Sequence, residues 1–366
     1  PQVQINNLVF FIEVGFLRKD DAIFPIAFYN SLRPLIASML CQLWETNTES
    51  HQVFAKLLEQ ASEGPFEARF ILPIVKEVVA FESNQNVMAS FHAKIVSRIT
   101  TMLDNIQESR DGTAIKKEDL EQMTILCFET LSKVLPSLPS EPMDEFDILH
   151  YTTTPSFEIQ TVLFCEHFLD LLCQSFGYYF LKTHNSILKF MIQLLHVKRS
   201  RSELQDLLVM FIKLLQLYQE KLLMTCDNET RITTITLYFN IIVLCKKVRL
   251  NFFDNTKCLD GIRKFTERIF NPRMIGVPGA ILLIVRIWAH LLKEFKLLNP
   301  KTVEFPFEDS VVYVSNSFIS FYFQNAGVKS TFDDILPPHL LDAFWSIGLT
   351  TWHSTGVLLQ TDLKQT

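Results

Sequence analysis

The chain has 366 residues, of which 48% are hydrophobic and 20% charged, and its formal net charge is −6 at pH 7. This composition excludes an intrinsically disordered protein, because such a chain can bury a large apolar core. Its seven cysteines are scattered and include no CxxC pair, which excludes a disulfide framework or a zinc finger. We therefore expect reduced thiols and an intracellular protein, nuclear or cytoplasmic.

Helical periodicity runs through almost the whole sequence, which contains only 10 glycines. Apolar residues that recur every three to four positions predict amphipathic helices. In chain order, the predicted helices span residues 7–18, 22–45, 51–62, 66–82, 87–107, 117–135, 155–181, 185–197, 201–224, 229–249, 256–270, 278–297, 310–325 and 333–348.

The segment from Ser202 to Leu223 shows this periodicity best. One apolar stripe at helical spacing consists of Leu204, Leu207, Leu208, Phe211, Leu215, Tyr218 and Leu222. Met210, Leu214 and Leu217 widen the stripe, and Asp206, Lys213 and Glu220 leave one narrow polar face. A helix that is apolar over most of its circumference packs on two sides.

Local signals refine two of these helices. Ser200 and Glu203 have the spacing of a capping box, which predicts a helix start at this point. Pro73 lies inside an apolar helical stretch, and we expect it to kink that helix or to split it near Leu72.

Many apolar helices in series predict an all-α fold of stacked antiparallel helices, an irregular α-solenoid. In helix length and apolar density the chain resembles degenerate HEAT- or armadillo-like repeats, although no consensus recurs at about 34 or about 40–47 residues. We expect an N-terminal stack (1–135), an acidic proline-rich linker or loop (136–155) and a C-terminal stack (156–366), continuous with the first. Because the sequence begins at Pro1, we expect it to belong to a longer protein.

Charge is distributed unevenly along the chain. Residues 182–273 contain 16 basic and 8 acidic residues, a balance of +8, and the remaining 18 basic and 32 acidic residues give −14. Such a split suggests an electrostatic function, namely the binding of nucleic acid or of an acidic protein segment. The alternative is an ordinary charged face exposed to solvent. The predicted basic ridge consists of Lys198, Arg199, Arg201, Lys246, Lys247, Arg249, Arg263, Lys264, Arg268 and Arg273.

The C-terminal stretch is poor in charge, with six charged residues between 310 and 366. It is either a buried terminal layer or an interface for a partner protein, which we expect to be an obligate helical subunit. The candidate interface residues are Tyr313, Phe318, Phe321, Tyr322, Phe344, Trp345 and Trp352. Polar residues within 310–328 argue against a membrane-spanning helix there.

No motif for nucleotide binding, metal binding or nucleophilic catalysis is present, so no catalytic residue, cofactor or metal is expected. Cys165 and His167 are interpreted as packing residues, and His290 as a satisfied core or face residue. The sequence favours a non-catalytic helical scaffold or adaptor subunit of an intracellular complex. Two alternatives stay open: a nucleic-acid-associated helical-repeat protein that uses the basic ridge, and a transport or trafficking adaptor.

Overall fold

A computed structural model describes residues 6–7, 26–44, 48–81, 85–110, 115–138, 143–178, 182–225, 227–254 and 256–269, together with 283–284, 286–288, 290–291 and 294–295. The fold is all-α, which confirms the predicted class. None of the described residues belongs to a strand, and one isolated bridge joins Thr153 to Val197. The finer prediction, a continuous solenoid, stays a prediction.

The helices follow the predicted order closely. Those in the first part of the chain are α1 (Ile26–Leu43), α2 (Thr48–Ala61), α3 (Pro65–Ala80), α4 (Gln85–Glu108), α5 (Lys117–Val134) and α6 (Glu145–His150). They are followed by α7 (Phe157–Leu163), α8 (Glu166–Tyr178), α9 (Lys182–Leu195), α10 (Arg201–Thr225), α11 (Asn228–Val248), a 3-10 turn (Phe252–Asp254) and α12 (Thr256–Ile269). The described residues between 283 and 295 are also helical.

The chain divides into two compact units. Unit 1 consists of Pro1–Glu141 and Tyr151–Lys198, and unit 2 of Pro142–His150 and Arg199–Thr366. The segment 136–155, which the proline content predicts to be a linker or loop, therefore contributes to both units, and α6 lies within it.

Unit 1 contains two rows of helices. In the first row α1 contacts α3, α3 contacts α5, and α5 contacts α9. In the second row α2 contacts α4, which contacts both α7 and α8. Three fully buried rings fill the centre, with Phe190 5.7 Å from Phe128 and 6.0 Å from Phe168 between ring centroids. Rings from helices of both rows thus meet in the core of unit 1.

Unit 2 is built around α11, which contacts α6, α10 and α12. Apolar side chains on all sides of α11 are buried, from Ile235 to Val248, and a helix that is apolar all round belongs in a core. Trp288 and Thr266 are also buried, and the Trp288 indole N–H donates a hydrogen bond of 2.9 Å to the Thr266 hydroxyl.

The capping box predicted at Ser200 is confirmed. The Ser200 amide donates to the Glu203 carboxylate at 2.9 Å, and the Glu203 amide donates to the Ser200 hydroxyl at 3.3 Å. Hydrogen bonds to the Glu203 carboxylate from the Ser200 hydroxyl, and then from the Ser200 amide, lower the pKa of Glu203. Both amides would otherwise lack a partner within the helix, so the box defines where α10 begins.

The end of α11 is closed by a residue in the left-handed region. Arg249 has φ 59°, its amide donates to Lys246 O at 3.1 Å, and the Leu250 amide donates to Cys245 O at 2.9 Å. These two hydrogen bonds define a Schellman motif, in which glycine is the usual left-handed residue. The ordered C-terminus fixes the position of Lys246 and Lys247 in the last turn.

One expectation about helix continuity was wrong. The predicted helix 155–181 is broken, because Cys165 caps α8: its thiol accepts the Phe168 amide at 3.4 Å and donates to Val162 O at 3.0 Å. Of the two outcomes expected at Pro73, the split does not occur, because α3 continues to Ala80, and the kink stays a prediction.

Two expectations about side chains were also wrong. Leu217 is 73% exposed although periodicity places it in the apolar arc of α10, because it lies on the same face as the exposed Lys213 and Glu220. His167 is not a packing residue, since its side chain is 60% exposed and its Nε2 lies 2.9 Å from Asp104 Oδ2.

Candidate functional site

Several residues of the predicted basic ridge make hydrogen bonds to the main chain of unit 2. The Arg201 guanidinium donates from Nε and Nη2 to Val248 O at 3.3 and 2.9 Å, and so satisfies a carbonyl at the C-terminus of α11. The Lys247 ammonium donates to Leu149 O at 2.9 Å and so links the end of α6 to α11. Both side chains therefore have a structural role at helix ends, where carbonyl groups lack partners within the helix.

Other ridge cations are paired with carboxylates of the same unit. Arg263 Nη2 lies 2.7 Å from Asp260 Oδ1, and Lys264 Nζ lies 3.1 Å from Asp260 Oδ2 and also contacts Glu220. Hydrogen bonds from Arg263, and then from Lys264, lower the pKa of Asp260. Lys246 pairs with Glu145 and Glu294. Pairing of this kind reduces the net positive charge that the ridge presents to an anion.

The remaining ridge residues differ in exposure. Lys198 and Arg249 are exposed, and Lys198 belongs to unit 1 whereas Arg249 belongs to unit 2. Arg199 is half-buried, and burial lowers the pKa of its guanidinium. Arg268 lies in α12 without a described side chain, and Arg273 lies outside the described residues. Whether these residues act as one binding surface stays a prediction.

The candidate partner interface is not tested. All of its residues lie outside the described residues: Tyr313, Phe318, Phe321, Tyr322, Phe344, Trp345 and Trp352. The described large apolar side chains that are most exposed are elsewhere, namely Phe157 at 82%, Leu217 at 73% and Phe146 at 66%.

Unit 2 also brings together a group of polar side chains that sequence reasoning does not assemble. Glu145, His290 and Glu294 each offer one ligand-type atom, and these atoms lie within 4.8 Å of one another. Lys246 Nζ lies 2.7 Å from Glu294 Oε1 and 3.4 Å from Glu145 Oε1. We call Glu145, Lys246, His290 and Glu294 the unit 2 polar cluster.

Local structure fixes Glu145 at the first position of α6. The Asp147 amide donates to Asp144 Oδ1 at 2.8 Å and the Asp144 amide donates to Asp147 Oδ2 at 3.4 Å, a reciprocal cap. Ile148, 1% exposed, holds the other face of this short helix in the core. Because α6 packs on α11, the Glu145 carboxylate is brought to Lys246 in the last turn of α11.

His290 and Glu294 come from the helical residues near the end of the described chain. Residues four positions apart lie on the same helix face, so both side chains reach the cluster together. The apolar residues Ile287, Trp288 and Leu291 of the same segment are buried. The segment is thus anchored in the core beside its polar pair.

His290 is the most buried member of the cluster, with a side chain only 2% exposed. Its Nδ1 lies 3.2 Å from Glu145 Oε2, but at an angle that makes no hydrogen bond, and Nε2 has no hydrogen-bond partner either among the described residues. The ring of Phe239 covers it edge-on at 6.5 Å. A buried imidazole whose two nitrogens both lack a hydrogen bond among the described residues requires a physical explanation, because buried polar groups are normally hydrogen-bonded.

The electrostatics of the cluster are dominated by its two carboxylates and one ammonium. Hydrogen bonding to Glu294 is the main cause of the raised pKa of Lys246, with a smaller contribution from Glu145. Nearby, burial lowers the pKa of Arg286, and Asp144 and Asp147 oppose that shift. The two carboxylates of the cluster therefore hold the Lys246 ammonium.

Sequence reasoning missed this cluster for a clear reason. The only local signal is the four-residue spacing between His290 and Glu294, which is common on helices and unspecific. Glu145 lies in the segment predicted to be a linker, and only the packing of α6 brings it close.

Unit 1 contains a cleft of about 450 Å³ between α1, α3 and α5, lined by Arg33, Arg69, Pro73, Asp119, Gln122, Met123 and Leu126. Burial, then the Arg69 charge, lowers the pKa of Arg33, while Glu77 opposes the shift. Arg69 Nη1 lies 3.0 Å from Asp119 Oδ2. The Asp119 carboxylate in the lining, and Glu77 near Arg33, offset the two guanidinium charges, so the cleft does not select a ligand of either charge.

Comparison with known protein families, curated proteins and solved structures finds no match for this chain. Among the described residues, no helix combines the length and apolar character required to cross a membrane.

Proposed function

We propose that this chain is a non-catalytic helical scaffold or adaptor subunit that binds other proteins within an intracellular multi-subunit complex. The observation that carries the proposal is the pair of helical rows in unit 1, in which α1, α3, α5 and α9 succeed one another along one row. Rows of this kind expose an extended series of helix surfaces and loops, which is how helical-repeat proteins bind their partners.

Exposed apolar side chains give further support. Phe157 on α7 and Leu217 on α10 are each more than 70% exposed, at 82% and 73%. Single exposed apolar residues are ordinary, but aromatic and large aliphatic residues supply the central anchors of protein interfaces. Either position can serve as such an anchor without any change in the fold.

The charge arrangement favours a protein partner over nucleic acid. Lys246, Arg263 and Lys264 have carboxylate partners in the same unit, so phosphate groups would have to displace these carboxylates. The nucleic-acid alternative and the trafficking-adaptor alternative stay predictions, as do the nuclear or cytoplasmic location and an obligate helical partner.

Affinity capture of the native full-length protein at moderate salt, with and without nuclease, tests the proposal when it is read by quantitative mass spectrometry. We expect a partner protein at constant stoichiometry that survives nuclease. Loss of all recovered proteins on nuclease treatment, together with affinity for nucleic acid that falls steeply between about 50 and 200 mM salt, would favour the nucleic-acid alternative instead.

Surface variants make the capture experiment specific. Phe157→Ser and Leu217→Ser leave the core intact because both side chains are exposed. Glu158→Ala and Lys213→Ala, at exposed neighbouring positions, are the matched controls. We expect at least one of the apolar variants, and neither control, to reduce recovery of the partner.

A further inference from the structure

We propose that Glu145, His290 and Glu294 bind a divalent transition-metal ion of the zinc class, which ties α6 to the described helical residues between 283 and 295 within unit 2. The donor set is one imidazole nitrogen and two carboxylates. Imidazole favours zinc and its neighbours, whereas calcium and magnesium prefer sites made of oxygen alone.

The buried imidazole is the first argument. His290 is 2% exposed, and neither of its ring nitrogens makes a hydrogen bond among the described residues. An ion bound to one nitrogen explains why so polar a side chain is kept in the core, because coordination replaces the missing hydrogen bond.

The distances are the second argument. Ligand atoms of a tetrahedral zinc ion at about 2.1 Å lie roughly 3.4 Å apart. The three candidate ligand atoms lie within 4.8 Å of one another, and Nδ1 of His290 is already 3.2 Å from Glu145 Oε2. Small rotations of the two partly exposed carboxylates therefore close the site. Water completes the fourth position.

Lys246 is the resident competitor of the ion. Its ammonium lies 2.7 Å from Glu294 Oε1 and 3.4 Å from Glu145 Oε1, between the two carboxylates. The side chain is 38% exposed, so it can turn into solvent when an ion enters. Metal and ammonium thus compete for the same oxygens, and removal of the ammonium strengthens metal binding.

The test is calorimetric titration of the chelator-treated 366-residue chain with Zn²⁺, with Mg²⁺ as the control ion. We expect one equivalent of Zn²⁺ to bind, at least tenfold more weakly after Glu294→Gln and at least tenfold more tightly after Lys246→Met. Co²⁺ bound in the same place shows no thiolate-to-cobalt charge-transfer absorption, which distinguishes the site from the cysteines.

His290→Ala should also abolish binding, but it alters a buried position. If His290→Ala does not fold, Glu294→Gln still tests the site, because the Glu294 side chain is 17% exposed and its substitution alters no fully buried position. Three results would overturn the proposal: no Zn²⁺ binding by the native chain, binding only after Lys246→Met, or binding that Glu294→Gln leaves unchanged. The last result would assign the ion to thiols.

Discussion

Gly261 of α12 lies close to side chains of α10 and α11, and Gly261→Ala tests how tightly unit 2 is packed at this point. A Cβ atom at this position would lie 2.6 Å from Gln219 Oε1 and 3.1 Å from Tyr238 Oη. Both contacting side chains are buried, Gln219 at 9% and Tyr238 at 1% exposure. The added methyl group therefore has no space unless one of them moves.

The net effect is a difference between two opposing terms. Alanine is favoured over glycine in a helix interior by about 1 kcal/mol. Overpacking of a well-packed core costs about 1–3 kcal/mol. Because the Gln219 carboxamide is at the end of a flexible chain while the Tyr238 ring is rigid, we expect Gly261→Ala to lower the free energy of unfolding by about 1 kcal/mol.

A double-mutant cycle with Gln219→Ala isolates the contact. In that background the shorter contact is gone, so Gly261→Ala should be neutral or stabilising, with a coupling energy of about 1–2 kcal/mol. Native-state hydrogen exchange over α10, α11 and α12 is the appropriate assay, since a chain with two compact units need not unfold in one transition. An equal change in protection on Gly261→Ala in both backgrounds would mean no coupling and would refute the close approach.

Four further predictions concern a helix start, a helix end, a core and two buried thiols. Ser200→Ala should lower the stability of α10 by about 1 kcal/mol, because it breaks the capping box. Arg249→Gly should raise the stability of α11 by about 0.5–1 kcal/mol, because glycine adopts the left-handed conformation without strain. Hydrogen exchange measures both effects, and Arg249→Ala, which should give no gain, is the control for the second. Phe190→Ala should cost about 3–5 kcal/mol in urea unfolding of unit 1, and a loss below about 1 kcal/mol would contradict the buried ring cluster. Burial raises the pKa of the Cys127 thiol, and it raises the pKa of the Cys258 thiol to about 12. Iodoacetamide should therefore modify both thiols only after the protein unfolds. Rapid alkylation of the native protein would show instead that the thiols are accessible.

The sequence alone predicts most of the helices, because hydrophobic periodicity is a local property of the chain. The start of α10 follows from Ser200 and Glu203, whose reciprocal hydrogen bonds span only three residues. The four apolar residues Ile95, Ile99, Met102 and Ile106 share one face of α4 by their spacing, and all are buried. Such features depend on neighbours within a turn or two.

What depends on distant residues is decided by the tertiary structure. Periodicity places Leu217 in the apolar arc of α10, yet no helix in the described part of the chain covers it, and it is 73% exposed. Cys165 divides one predicted helix into two, because its thiol forms hydrogen bonds with a carbonyl group before it and an amide group after it. The sequence records the side chains but not which helix faces lie against one another.

The charge pattern shows the same division most clearly. Composition along the chain correctly locates an excess of +8 between residues 182 and 273, since counting needs no structure. Only the packing of α6 against α11 places Glu145, 101 residues away, beside Lys246. Charge energies depend on distance and burial, so the sequence determines how many charges this protein carries, and the fold determines which of them remain available to a partner or an ion.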